Sequence, residues 1–284
     1  MLGPFKSAGM QQTVSEEKAS YTENDAHNLY DTIRENIPQG NKIAPENIIC
    51  HGISSTGISV LDRSIGGGLP GGSMTYVSAD PSGMAEIFLY QFTQSRKTYY
   101  FTTGRRPKYI LKDILNLHFD TSNIIFIDVY TEYYLTPSGE MVDNVGNEYA
   151  DSKLLEFVEY NLKNIRNDAQ TGEINLIFDS FSFFMNLRVN SGLLKRLINI
   201  IYEISKETGA LTYLYGLKGS HPEHVENEIL NSADVIFEIS LDKGADKIVN
   251  KLAIPKMRGM LPTAEVIKFK ICDGVQIDTS KDIA

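Results

Sequence analysis

The chain has no dense basic run, no long apolar stretch and very little cysteine, and each absence removes a class of function. Lysine and arginine together number 27 against 36 aspartates and glutamates, for a formal net charge of −9. Surfaces that bind nucleic acid displace counterions with clustered cations. The densest cluster here, Arg105-Arg106-Pro107-Lys108, is short and reads as a solvated loop. The acidic balance argues against nucleic acid as a partner, although it leaves room for a local patch. No apolar segment approaches the ~20 residues that span a bilayer, and the N-terminus lacks the apolar core of a signal peptide. No membrane association is expected, and the cytoplasm is the expected compartment. The two cysteines, Cys50 and Cys272, are far apart and lack metal-ligand spacing. They read as reduced structural thiols. No internal repeat is visible.

What is present fits one core with tails. The 284 residues suit a single domain, and an apolar fraction of 42% is enough for a sizeable core. Residues 1–45 read as a polar tail carrying a short amphipathic helix, residues 46–278 as the core domain and residues 279–284 as a second tail. In the first of these, Ala26, Leu29, Tyr30, Ile33 and Ile37 recur at helical spacing until Pro38-Gln39-Gly40 stops the helix. Within the core, strands expected at Ser73–Ser78, Thr98–Thr103, Asn123–Val129, Ile174–Phe178 and Ala210–Tyr215 alternate with helices, the clearest at Asn190–Lys206. Three closing strands begin near Asp234, Lys247 and Glu265. This order predicts an α/β fold with a mainly parallel central sheet flanked by helices and an antiparallel C-terminal edge. The continuous apolar run Asn123–Val129 is expected to be covered on both faces.

The segment Val77-Ser78-Ala79-Asp80-Pro81-Ser82-Gly83-Met84-Ala85-Glu86 lies between a strand and a helix, where a phosphate-binding loop would sit. Such a loop reads G-x-x-x-x-G-K-[ST]: glycines let backbone N–H groups wrap the phosphates, lysine neutralises them, and the hydroxyl holds Mg²⁺. In register, those positions carry Ala79, Met84, Ala85 and Glu86. Met84 is bulky where backbone must approach, Ala85 removes the cation, and Glu86 places a carboxylate where Mg²⁺ and phosphate oxygens meet. Two like charges at ~4 Å repel by about 4 kcal/mol at an effective dielectric of 20.

The surrounding landmarks resemble the KaiC-like and Rad55-like domains of the RecA superfamily, over about Ser55 to Ile277. The runs Ser55-Thr56-Gly57-Ile58-Ser59-Val60-Leu61-Asp62 and Ile65-Gly66-Gly67-Gly68-Leu69-Pro70-Gly71-Gly72-Ser73 resemble that family's opening motif. Asn175-Leu176-Ile177-Phe178-Asp179-Ser180 resembles its Walker B strand, Ala233-Asp234-Val235-Ile236-Phe237 a later strand, and Ile254-Pro255-Lys256-Met257-Arg258-Gly259 its KMRG turn. The resemblance implies a RecA-like P-loop NTPase fold of archaeal type with a degenerate Walker A motif. In active members two glutamates end the second core strand and activate water; the matching positions here are Gly104 and Arg105. Neither ATP hydrolysis, nor a cofactor, nor a metal is therefore expected.

Several residues carry two readings. Asp179, with Glu86 nearby by the same alignment, either shares a proton or a cation with it, or else caps a turn or bonds Ser180 and Ser182. Lys256 and Arg258, which the resemblance places at a neighbouring subunit's nucleotide, are interface candidates: fingers offered in trans to an active partner, or residues that hold their own turn. His221, Glu223, His224 and Glu226 have a spacing only loosely like metal ligands. Tyr99, Tyr100, Tyr130, Tyr133 and Tyr134 either stack bases or pack in the core. The leading functional reading is a catalytically inactive regulatory or scaffolding subunit with protein partners, itself or an active paralogue. Some relatives are associated with signal transduction. A ligand sensor using the remodelled cleft and a DNA-repair accessory protein of Rad55 type are the alternatives. Without ATP to join subunits, a monomer or dimer is expected rather than a hexamer.

Overall fold

The computed structural model describes residues 51–169, 173–243, 248–261, 265–272 and 274–277, all within the second of two units, Cys50–Ala284. The expected helix over Asp25–Ile37, Cys50 and the tail 279–284 lie outside the described residues.

The described residues open with a two-residue strand β1 (Ile53–Ser54), helix α1 (Ser59–Ser64) and β2 (Leu69–Pro70), which pairs antiparallel with β1. Asp62 organises this turn. Its carboxylate accepts from Ser55 Oγ at 2.6 Å, Thr56 N at 2.9 Å and Thr56 Oγ1 at 2.7 Å. Gly68, at φ 143°, passes so close that a Cβ would fall 2.2 Å from the Ser54 carbonyl oxygen. The opening motif is thus a packing device: a buried carboxylate with its donors, and a glycine where two backbones meet.

Among the described residues the main sheet has nine strands. They are β3 (Met74–Ala79), β4 (Lys97–Thr102), β5 (Ile124–Asp128), β6 (Ile174–Asp179), β7 (Leu211–Leu217), β8 (Val235–Lys243), β9 (Ile248–Met257), β10 (Ile267–Cys272) and β11 (Gly274–Ile277), in the order β11-β10-β9-β8-β3-β7-β6-β4-β5. From β8 to β5 the neighbours run parallel; β9, β10 and β11 add antiparallel. The helices between them are α2 (Glu86–Phe92), α3 (Pro107–Asn116), α4 (Val129–Tyr134), α5 (Glu148–Asp168), α6 (Phe181–Met185), α7 (Ser191–Thr208) and α8 (Glu223–Ser232). Alternate strand residues feed two cores, as the period of two requires. Val77, Tyr100, Ile177 and Tyr213 join α2 and α3 on one face; Tyr76, Phe101, Phe178 and Leu214 join α5, α6 and α7 on the other. Helix α7 shows why its stripe was readable. Asn190 caps it by accepting the Gly192 N–H at 2.8 Å, Leu194, Leu197, Ile198, Ile201 and Ile204 are buried, and Gly209 ends it at φ 71°.

One expectation is corrected. The run around β5 is not covered on both faces. It forms the sheet's edge beside β4, and Ile125 is 40% exposed. The run also ends earlier than expected, because the Asp128 carboxylate accepts the Thr131 N–H at 2.9 Å and turns the chain into α4. The antiparallel edge is present, with β11 as an additional strand.

Candidate functional site

The carboxyl ends of β3, β4, β6 and β7 meet at the loop joining β3 to α2. Ala79 closes β3 and is fully buried. The loop then satisfies its own donors: Asp80 Oδ1 accepts from Ser82 N at 2.8 Å and Ser82 Oγ at 2.6 Å, and the Asp80 carbonyl accepts from Gly83 N at 3.0 Å. The Ser82 hydroxyl and N–H hold the Asp80 carboxyl below its ordinary value. Met84 is 53% exposed, while Ala85 is buried against the core.

Glu86 is the first residue of α2, and after burial its charge helps hold the Tyr215 phenol above its ordinary value. Across from it, Asp179 ends β6 and accepts the Tyr100 hydroxyl at 2.9 Å. Arg105, just beyond β4, donates to Tyr90 Oη at 2.8 Å and to Asp113 Oδ2 at 2.6 Å. Burial pushes Asp179 up to about 6, with Glu86's charge adding to the rise, while the Tyr100 hydroxyl and Arg105 pull the other way. Burial also raises the phenols of Tyr90, Tyr100 and Tyr215. The result is a buried carboxylate, Asp179, walled by tyrosines whose phenols stay neutral, with Glu86 and Arg105 close enough to act on it electrostatically. Among the described residues no three His, Cys, Asp or Glu side chains are grouped to hold a metal.

The sequence reading brought Glu86 and Asp179 together, and the structure places them in one electrostatic cluster. The local alternative for Asp179 is corrected: its carboxylate bonds to Tyr100, whereas Ser182 Oγ accepts the Leu217 N–H at 2.7 Å and faces His221 Nδ1 at 3.1 Å. Arg105 is likewise more than a solvated loop residue. Tyr90 and Tyr215 were not anticipated; their strand and helix periodicity marks them as core, and only the fold shows that their hydroxyls converge.

Lys256 and Arg258 lie at the other end of the sheet. Lys256 Nζ donates to the carbonyls of Leu230 at 2.7 Å and Asn231 at 3.2 Å, and Arg258 donates to those of Asn231 and Ser232. Both therefore hold the carboxyl end of α8, where cations suit the helix dipole. Met257 is level with Val235, and Val235 with Thr75 near the start of β3. From there to the carboxylate cluster is about 13–16 Å of strand at ~3.3 Å per residue. Asp234 of the preceding motif joins the same corner, accepting from Met74 N at 3.0 Å and Lys206 Nζ at 2.7 Å.

The weak metal-like spacing disperses. His221 is enclosed with Ser182, Tyr76 and Glu226, while Glu223 and His224 are exposed. Tyr76 Oη donates to Glu226 Oε1 at 2.9 Å, and its ring fills the space over Gly216, where a Cβ would lie 2.1 Å from that oxygen. Of the aromatic candidates, Tyr99, Tyr100 and Tyr133 are packed, whereas Tyr130 and Tyr134 keep part of their surface exposed. No helix among the described residues is long and apolar enough to cross a membrane.

No curated protein matches this chain. Solved structures do. The KaiC-like protein PH0186 from the hyperthermophilic archaeon Pyrococcus horikoshii OT3 superposes with a TM-score of 0.61 at 17% identity, over 81% of this chain and 100% of that one. The flagellar accessory protein FlaH from Methanocaldococcus jannaschii gives 0.61 at 18% identity, over 82% and 100%. The chain shares the fold of these two proteins, a RecA-like α/β fold. A family model matches residues 53–284, and the chain belongs to that family, DUF7125, a family of unknown function.

Proposed function

We propose that this chain is a non-hydrolysing RecA-fold protein that acts as a regulatory or scaffolding subunit, with a second copy or an active paralogue as its partner. The observation that carries the reading is the loop after β3, where Ala79, Met84, Ala85 and Glu86 stand at the positions of a phosphate-binding loop's glycines, lysine and hydroxyl, with the buried Asp179 carboxylate at the end of β6. That chemistry calls for a lysine and a hydroxyl. This chain offers two carboxylates, and the nearby cation, Arg105, is engaged by Tyr90 and Asp113. The Ser82 and Gly83 amides are engaged by Asp80. A role in signal transduction and a cytoplasmic location belong to the same proposal and rest on the family resemblance and the composition. With no nucleotide to join subunits, the assembly is a monomer or dimer.

The test is ATP turnover by the purified full chain, together with calorimetric titration of ATP, ADP and GTP with and without Mg²⁺. The expected result is no turnover above background and no heat at high micromolar nucleotide. Turnover that disappears in Asp179→Asn would overturn the reading. A nucleotide-free hexamer by light scattering would overturn its assembly part.

A further inference from the structure

Beside the carboxylate cluster, the ends of β4, β6 and β7 and helices α4 and α6 frame an open-sided hollow of about 340 Å³. Tyr130, Tyr134 and Phe183 line it, with Thr103 and Ser180 at the strand ends. The Tyr130 and Tyr134 rings lie 5.0 Å apart at 45°, and Tyr134 meets Phe183 at 6.3 Å and 63°. All three rings stay partly exposed, although their neighbours Tyr133 and Phe184 are buried. None of the residues lining the hollow is charged, so a phosphate or carboxylate finds no counter-ion there. An adjoining hollow of about 270 Å³ shares Tyr134, Phe183 and Asn186 and brings in Asp151 and Arg188. Its acid is already engaged by the Tyr133 hydroxyl and the Arg188 N–H.

The polar groups at the hollow are few and fixed. Asn186 donates its amide hydrogens to the carbonyls of Ser182 at 2.9 Å and Ser220 at 2.7 Å. That orients the amide and leaves Oδ1 as an acceptor with no donor among the described residues. The hydroxyls of Tyr130 and Tyr134 are also without a hydrogen-bond partner among the described residues. Partly open aromatic surface, a few oriented polar atoms and a position at strand carboxyl ends are the features of small-molecule sites in α/β folds. The volume lies at the small end of the ~300–1,000 Å³ such sites span, which suits one bicyclic ring rather than a dinucleotide.

We propose that the hollow formed by Tyr130, Tyr134, Phe183 and Asn186 binds a small, uncharged, planar heteroaromatic molecule with an N–H donor, of the purine-nucleoside class. The rings stack on its face, and Asn186 Oδ1 accepts its N–H. This assignment stands apart from the question of hydrolysis, since it uses neither Glu86 nor Asp179.

The experiment uses the full chain, which has no tryptophan to mask tyrosine emission; Tyr130→Phe and Tyr134→Phe assign any change to the hollow. Adenosine, Mg²⁺-free ATP and tripolyphosphate are titrated separately by calorimetry and tyrosine fluorescence. Adenosine is expected to bind, whereas ATP, whose phosphates find no counter-ion at the hollow, and tripolyphosphate are expected not to bind at high micromolar concentration. Phe183→Ala is expected to weaken adenosine about tenfold, the loss of one stacking contact, while Lys195→Ala, on the outer surface, leaves it unchanged. Photolabelling of the wild-type chain with 8-azidoadenosine gives an answer even if Phe183→Ala fails to fold; labels are expected within residues 130–141 or 180–186. Absence of adenosine binding at millimolar concentration, labels within residues 80–90, or ATP binding tighter than adenosine would overturn the assignment. A salt-sensitive preference for oligo-dA over adenosine would overturn it in favour of a nucleic-acid surface.

Discussion

Replacing Asp179 by asparagine separates a carboxylate kept for catalysis from one left in an unfavourable place. The folded chain raises this carboxyl from its ordinary 3.8 to about 6, mainly through burial and then through Glu86. That rise corresponds to about 3 kcal/mol at ~1.4 kcal/mol per pH unit. Because part of the residue reaches solvent, screening reduces the figure to about 2 kcal/mol. The folded state holds the proton more tightly than the unfolded state, so the stability Asp179 contributes is fully present below about pH 4. It is lost as pH rises, and the loss is complete above the folded value near 6. Asparagine keeps an acceptor for the Tyr100 hydroxyl and carries no charge at any pH. At pH 7.5 the Asp179→Asn chain is therefore expected to be the more stable by about 2 kcal/mol, a rise in Tm of roughly 4–8 °C for a domain of this size. At pH 4 the two chains should unfold together. Urea and thermal unfolding of both at several pH values between 4 and 8 provide the measurement, and comparing the pair cancels titrations elsewhere. An asparagine variant that is less stable at pH 7.5, or a gap that does not change with pH, would refute the reasoning.

Two further substitutions probe the frame around the site. Gly216→Ala forces a methyl group against the Tyr76 hydroxyl, and the displaced ring should lower stability by about 1–3 kcal/mol; a change under half a kcal/mol in denaturant unfolding would mean the ring moves freely. Asp62→Ala leaves Ser55 Oγ, Thr56 N and Thr56 Oγ1 without their acceptor, an expected loss of about 1–3 kcal/mol, and a melting curve identical to wild type would show that the opening motif does not brace the fold.

Much of the architecture was legible because periodicity and caps agree. The stripe from Leu194 to Ile204, the Asn190 cap and Gly209 all point to one helix, and that helix is present. The edge position of β5 was not legible. An apolar run such as Ile124–Ile127 reads the same whether a strand is central or terminal, because strand order is decided by partners far away in the chain. The site was legible in part. Register along the loop after β3 led to Glu86, and the strand ending in Asp179 led to its neighbour. Tyr90, Tyr100 and Tyr215 gave no such signal, since a tyrosine whose ring is core and whose hydroxyl reaches a cluster looks like any other buried aromatic. The motifs that carried the family resemblance have a simple physical content here. Asp62, Asp234, Lys256 and Arg258 each tie two segments together.

The loop after β3 closes on itself: Asp80 supplies the negative charge that its own amide and hydroxyl face. In thermodynamic terms the anion is part of the covalent chain, always present at the same effective concentration. A loop that borrows its anion from solution couples folding to how much of that anion is available, by RT ln(1 + [L]/Kd). A loop that carries its own has no such coupling. Under the proposed function its shape, and the alignment of the strand ends it joins, are independent of nucleotide supply, which is the property a constant docking platform needs.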